Sequence, residues 1–329
     1  MVTDILLVAG AVLILWKTAD WFVEGAVGVA VLLNLPKMLI GLVLVSAATT
    51  APELFTSLNA ALHGYPELAL GNAIGSVIVD ASLAMGLAAL LATTPLVVDP
   101  AIFKISARAV VLVLCIGFVL VMNGSLDRTE GFILLGCYTV YIMFLYRHYR
   151  QIHRQRKEDT LPALAPEVTK AGQIPLSRIA MLFGIGLTGV LLGSELLVRG
   201  ATGIAETLQL SPVVIGLTIT AAGTSMPEIA TCVAAAMKRE SDIGIGNIIG
   251  ADILNVCWVA GASAIANPLT AEKSVLFFMF PSAIIIVGAM ILMLRRGHSL
   301  NRWNGAVLVT LYCLYALCLF FFISPPSFL

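Results

Sequence analysis

The sequence predicts an all-α polytopic membrane protein, with about ten transmembrane helices arranged as two inverted five-helix repeats. Three observations lead there: an apolar composition, a register in which the chain repeats itself, and a one-sided distribution of basic residues. Hydrophobic residues fill 59% of 329 positions and only 12% are charged, about half the charge fraction of a soluble domain. The mean hydropathy is +0.99. A membrane-spanning helix needs roughly 20 mainly apolar residues, and such stretches fill most of the chain.

The repeat is read by shifting the chain 175 positions against itself. Ala19–Ala26 then falls on Ser194–Ala201, and Gly41-Leu42 on Gly216-Leu217. Thr49-Thr50-Ala51-Pro52-Glu53 falls on Thr224-Ser225-Met226-Pro227-Glu228, and Gly71-Asn72-Ala73-Ile74-Gly75 on Gly246-Asn247-Ile248-Ile249-Gly250. Shared apolarity cannot hold one register through Gly, Pro, Asn and Glu, so the duplication is real.

Apolar runs and their punctuation place helices at 4–33, 38–62, 68–92, 105–123 and 131–147 in the first half. The second half has 176–208, 212–237, 243–266, 274–294 and 303–323. The expected domains are 1–147 and 176–329, joined by a polar linker at 148–175 that contains Arg150, Arg154, Arg156, Lys157, Pro162, Pro166 and Gly172. A cytoplasmic linker also puts Lys37, Lys104, Arg108, Lys238, Arg239, Arg295, Arg296 and Arg302 inside, as the positive-inside rule requires. Both termini then lie outside the cytoplasm, in a cell or inner membrane. Five helices separate equivalent positions, so the second copy crosses the membrane upside down. Many secondary transporters are built this way, with the substrate near mid-membrane at the repeat interface.

Other features exclude functions. The formal net charge is zero, which gives no bulk field for nucleic acid. The six cysteines lie singly in apolar segments and read as small buried residues. His63, His148, His153 and His298 are dispersed in or beside expected loops, with no metal spacing. No basic n-region or small-residue cleavage site marks a signal peptide, so the first helix is expected to be retained. No cofactor, no obligatory protein partner and no enzymatic constellation is expected; the partners are membrane lipid and transported ions.

The chemistry sits in the second helix of each half. A glutamate at membrane depth costs on the order of 3 kcal/mol unless it meets a cavity or a counter-ion. Pro52 removes the donor for the carbonyl of Ala48, and Pro227 that for Gly223. Each kink gathers loose carbonyls, two hydroxyls (Thr49 and Thr50; Thr224 and Ser225) and one carboxylate (Glu53; Glu228). Hard cations such as Ca2+ take six to eight oxygens of mixed type, which two facing arcs supply. In the third helix of each half, Asn72, Ser76 and Asp80 share one face, and Asn247, Ala251 and Asn255 are their equivalents. A lone Pro-Glu could be a kink with a stray acid, and a lone GNxxG close packing; their joint recurrence in one register favours a site.

At these residues the sequence resembles the cation/calcium exchanger superfamily, specifically its sodium/calcium exchanger branch, over nearly the whole chain. The resemblance implies Thr49, Thr50, Glu53, Thr224, Ser225 and Glu228 as cation ligands, with Ser76, Asp80 and Asn255 flanking them. It implies exchange of Ca2+ against Na+. The chain departs from the family pattern at Ala48-Thr49-Thr50, usually Gly-Thr-Ser, and at Ala251, usually serine. Val77 replaces an asparagine, Asp252 stands where its partner asparagine would be, and the extra acid, Asp80, is in the first repeat. These departures keep Ca2+/H+ exchange open as the alternative, although Gly75 and Gly250 occupy places where that branch carries a glutamate. An ion channel is the reading from another class. Asp252 is expected to support the site rather than join it. Glu24 and Arg199, repeat equivalents, are expected either to pair across the repeats or to leave Arg199 with Glu195; Lys17 and Asp20 are expected to pair locally.

Overall fold

A computed structural model describes residues 2–159, 175–207 and 221–323. The first half runs α1 (Val2–Leu32), α2 (Lys37–Thr49), α3 (Ala51–Leu62), α4 (Pro66–Leu91), β1 (Leu96–Val97), α5 (Pro100–Val121), β2 (Ser125–Leu126) and α6 (Arg128–Asp159). The second runs α7 (Leu176–Thr207), α8 (Ala221–Thr224), α9 (Met226–Met237), α10 (Ser241–Ala266), β3 (Leu269–Thr270), α11 (Val275–Arg295), β4 (Ser299–Leu300) and α12 (Arg302–Ile323). Among the described residues eight helices are long and apolar enough to cross a membrane, and the bent pair α2–α3 makes a ninth. The helix expected at 212–237 is seen from Ala221 onward; its earlier residues lie outside the described ones.

The inversion is visible where α1 packs on α7. A Cβ on Gly203 would meet Asp4, one on Gly200 Val8, one on Gly193 Leu15, one on Gly186 Phe22 and one on Gly25 Phe183. Position numbers fall on one helix as they rise on the other, so repeat-equivalent helices run antiparallel. The Gly25–Phe183 approach and the Gly200–Val8 approach are themselves repeat equivalents, which places a pseudo-two-fold axis between the helices. Two antiparallel ribbons obey the same symmetry: β1 pairs with β4, and β2 with β3, so each ribbon ties one half to the other.

The core sits around α4 and α10, whose most apolar windows are 78% and 83% buried, against 22% for α1 and α7. The helices that carry Ser76, Asp80, Asn247, Asp252 and Asn255 are thus the ones kept farthest from lipid. Small residues allow it: a Cβ on Gly41 in α2 would lie 2.5 Å from the carbonyl oxygen of Ile243 in α10, and one on Gly246 would lie 2.6 Å from that of Met38. The two backbones touch, as in small-residue packing of membrane helices.

Several expectations change. The linker expected from 148 begins as helix, because α6 continues to Asp159; Arg, Gln, Lys and Glu are good helix formers and extend a span into water. The rest of that linker, 160–174, lies outside the described residues. His148 is inside α6 rather than beside a loop. Only Cys232 and Cys257 are buried, Cys137 is intermediate, and Cys115, Cys313 and Cys318 are exposed, since a lipid-facing surface accepts an apolar side chain as readily as a core does. Arg199 pairs with Glu195 one turn away at 2.6 Å, while Glu24 faces Arg178 at 3.9 Å and Lys238 at 4.0 Å. The cross-repeat pair is absent because the antiparallel crossing carries positions 24 and 199 to different ends of the contact. Asp20 reaches Lys238 at 3.7 Å, and Lys17 lies over the Trp21 ring at 5.5 Å.

The Gly41–Gly246 contact has no room for a side chain. Gly41→Val or Gly246→Val is expected to lower the apparent melting temperature in detergent by about 5 °C, from roughly 1–3 kcal/mol of overpacking. An unchanged melting temperature contradicts that packing.

Candidate cation-binding site

Both halves break one helix at the equivalent residue. α2 ends at Thr49, Thr50 takes φ −77° and ψ −1°, and α3 resumes at Ala51 with a 42° bend. Ser225, the equivalent of Thr50, takes φ −83° and ψ 6° between α8 and α9. This sparsely populated region of backbone space recurs in active sites. Pro52 and Pro227 fall in the first turn after each break, where a missing N–H is tolerated. The carbonyls of Ala48 and Gly223 thereby lose their donors four residues on.

α4 and α10 switch from α to π winding at equivalent residues, over Asp80–Ala84 and Asn255–Ala260. Such insertions are frequent at functional sites. They turn Asp80 and Asn255 toward the two breaks.

Cross-repeat hydrogen bonds assemble the parts. Thr49 Oγ1 donates to Asn247 Oδ1 at 3.1 Å, and Thr224 Oγ1 donates to Asn72 Oδ1 at 3.2 Å. Each asparagine carbonyl thus accepts from a threonine hydroxyl of the opposite repeat. Thr50 Oγ1 donates to Glu228 Oε1 at 3.3 Å. Asn72 is itself fixed, its Nδ2 donating to Ser57 Oγ at 2.9 Å. The equivalent of Ser57 is Cys232, and Asn247 Nδ2 has no partner.

The centre is a set of buried oxygens without protons to accept. Glu53, Glu228, Asp80 and Asp252 are fully buried. Both carboxylate oxygens of Glu53, Asp80 and Asp252, one of Glu228, and the polar atoms of Ser76, Ser225 and Asn255 have no hydrogen-bond partner. Glu53 lies within Coulombic reach of Glu228 and Asp80, and Asp80 within reach of Glu228 and Asp252. The ion pairs formed by lysine and arginine among the described residues all involve other acids. No three acidic, His or Cys side chains among the described residues converge into a closed metal cage. The donors are instead mixed: carboxylate, hydroxyl, amide and backbone carbonyl, the set that hard cations such as Ca2+ prefer.

Each expected site residue can now be located. Thr49, Thr50, Glu53, Ser76, Asp80, Ser225, Glu228, Asn247 and Asn255 are buried, as is Gly223; Ala48, Asn72 and Thr224 are partly buried. Asn72 and Asn247 spend their carbonyl oxygens on threonines rather than pointing them at the centre. Asp252, expected to support the site rather than join it, is fully buried with neither carboxylate oxygen hydrogen-bonded, like Glu53 and Asp80. Ser57 was missed, although its place four residues after Glu53 puts it on the same helical face.

A profile of the sodium/calcium exchanger protein family matches residues 3–147 and 178–321. The chain belongs to that family. Among curated relatives it is 33% identical to the "Putative antiporter CaxA" of Alkalimonas amylolytica, over 97% of this chain and 99% of the relative. It is 31% identical to the "Inner membrane protein YrbG" of Escherichia coli, over 97% of each. The "Sodium/calcium exchanger MaX1" of Methanosarcina acetivorans is 27% identical, over 97% of this chain and 99% of its own length. Among solved structures the sodium-calcium exchanger NCX_Mj superposes with a TM-score of 0.78 at 27% identity, covering 95% of this chain and 97% of that one. These are transporters, not enzymes, and the chain is a multi-pass membrane antiporter of this family.

The Ser57–Cys232 difference predicts unequal mutants. Ser57→Ala leaves the Asn72 amide poorly satisfied and loosens Thr224, a loss of about 1 kcal/mol that corresponds to roughly a fivefold rise in half-saturating Ca2+. Cys232→Ala removes no hydrogen bond and leaves half-saturation unchanged. Equal responses in a radiolabelled Ca2+ flux assay contradict the assigned role of Asn72.

Proposed function

We propose that this chain exchanges Ca2+ for Na+ across a cell or inner membrane by alternating access at one site shared by the two repeats. The observation that supports this reading is the set of buried oxygens without a hydrogen-bond partner that lie beside both helix breaks and in or beside the π segments of α4 and α10. Glu53 and Glu228 are the principal Ca2+ ligands, with Thr49, Thr50, Thr224 and Ser225 and the carbonyls of Ala48 and Gly223. Ser76, Asp80 and Asn255 flank them and hold Na+ when Ca2+ leaves. Asn72 and Asn247 orient the threonines. The basic residues favour a cytoplasmic linker with both termini outside. The name of the Escherichia coli relative supports an inner membrane.

Obligate exchange follows from electrostatics. Carboxylates left empty in a low-dielectric core carry a penalty of several kcal/mol per ion, so the helices reorient only when cations compensate the charge. α1 and α7, which are little buried and pack on each other along their length, are the pair that would move against the core. Protons are a second means of compensation, and Asp252 favours this reading by bringing the buried acids to four. Protonated carboxyls cross as neutral groups, giving Ca2+/H+ exchange.

Glu53→Gln or Glu228→Gln is expected to abolish Ca2+ flux driven by a Na+ gradient in proteoliposomes, with the protein still folded. Wild-type flux in either variant contradicts the ligand assignment. Imposing Na+, K+ and H+ gradients separately on the wild type separates the two readings. Uptake with Na+ alone supports Na+ coupling, and uptake with a pH gradient in the absence of Na+ supports protons.

A further inference from the structure

A second feature lies away from the cation site. A groove of about 760 Å³ opens between α5 and α11. These helices are repeat equivalents, so the groove follows the seam between the two halves. It lies toward the start of α5 and the end of α11, the side marked by the β1–β4 ribbon. Lys104 and Arg108, four residues apart on α5, line it together with Arg295 and His298. His298 is held edge-on to Phe103, with ring centroids 6.4 Å apart. Farther along α5 and α11 the lining is apolar: Val111, Leu112, Cys115 and Ile291.

Two observations separate this groove from an ordinary basic rim. No acid lines it, and Lys104, Arg108 and Arg295 make no ion pair among the described residues. The fold does not demand the charges either. Under the 175-residue repeat Lys104, Arg108, Arg295 and His298 correspond to Met279, Ala283, Leu120 and Asn123, so the equivalent place on the opposite membrane face is uncharged.

Arg108 lies eight residues beyond Pro100, roughly 12 Å along the helix. Arg108 is exposed in the groove, and from that depth a long cationic side chain can reach back to the surface. The outcome is a concave cationic mouth at headgroup level that continues into an apolar trough at acyl-chain level. Basic pockets between membrane helices bind anionic headgroups.

We propose that this groove binds an anionic phospholipid. Its phosphodiester sits among Lys104, Arg108 and Arg295, and one acyl chain follows Val111, Leu112, Cys115 and Ile291. Charge complementarity selects the occupant: a zwitterionic lipid would bring a further cation into a mouth that already has three without a counter-charge. The bound lipid spans the seam between the repeats.

The test is native mass spectrometry of the delipidated, full-length protein exposed to equal amounts of phosphatidylglycerol and phosphatidylcholine with identical chains. The wild type is expected to retain phosphatidylglycerol preferentially. Lys104→Gln/Arg108→Gln/Arg295→Gln is expected to lose that preference by roughly tenfold. A control triple variant, Arg147→Gln/Arg239→Gln/Arg296→Gln, removes as many cations from the same membrane side outside the groove and is expected to keep the preference. No headgroup preference in the wild type overturns the proposal, as does an equal loss in both triple variants, which would mean general surface charge. If the groove triple does not fold, the wild-type competition stands alone and Arg108→Gln replaces it. An unaltered preference in that single variant also overturns the site.

Discussion

Four carboxylates, Glu53, Glu228, Asp80 and Asp252, are held in the middle of a membrane protein without one basic side chain paired to any of them among the described residues. Like charges repel strongly where the dielectric is low, and each ion taken from water loses several kcal/mol of solvation. The rest of the structure answers that constraint. The helices that carry the acids are broken or π-wound there, which exposes backbone oxygens and hydroxyls around the acids. The helices that carry Asp80 and Asp252, α4 and α10, are the most deeply buried of the membrane-length helices among the described residues. What is missing is positive charge, and a mobile cation is the one component that the chain does not supply itself.

Inverted duplication builds this centre with few parts. Each repeat contributes one broken helix and one π turn, and the pseudo-two-fold axis turns them toward each other. The Thr49–Asn247 and Thr224–Asn72 bonds are one interaction made twice. Symmetry is then relaxed where the chemistry is not symmetrical. Asp80 corresponds to Asn255, Val77 to Asp252, and Ser57 to Cys232. The basic groove between α5 and α11 has no charged counterpart on the other membrane face. The two faces of the membrane are different environments, and the departures from the dyad make the two halves chemically unequal.

The repeat, the helix count and the two Pro-Glu arcs were legible in the sequence because glycine, proline and glutamate are costly inside an apolar helix and stand out there. Asn72 and Asn247 were legible as motif members but not in their role. Their partners lie on the other repeat, 152 and 198 residues away, so no local spacing reveals them. Asp252 was underweighted because its repeat equivalent, Val77, is apolar; the π turn at Asn255 alters the face that a regular helix would present. The extension of α6 to Asp159 was hidden for a different reason: outside the membrane a helix no longer needs apolar residues, so its charged end reads as a linker. Glu24 and Arg199 left two pairings open in the sequence, and the pair within one helix, Arg199 with Glu195, is the one formed; repeat equivalence is not contact, and only residues near the axis meet their own equivalents.

The central claim is that one buried, uncompensated acidic centre is occupied by Ca2+ and its counter-ion in turn. Its most direct test is equilibrium Ca2+ binding to the purified wild-type protein by isothermal titration calorimetry at increasing Na+, at constant ionic strength and constant pH. The account predicts a single class of Ca2+ site whose apparent Kd rises steadily as Na+ is added, with the amount of Ca2+ bound at saturation unchanged. A Ca2+ affinity indifferent to Na+, and equally indifferent when the titration is repeated without Na+ at a series of pH values, would contradict a shared centre.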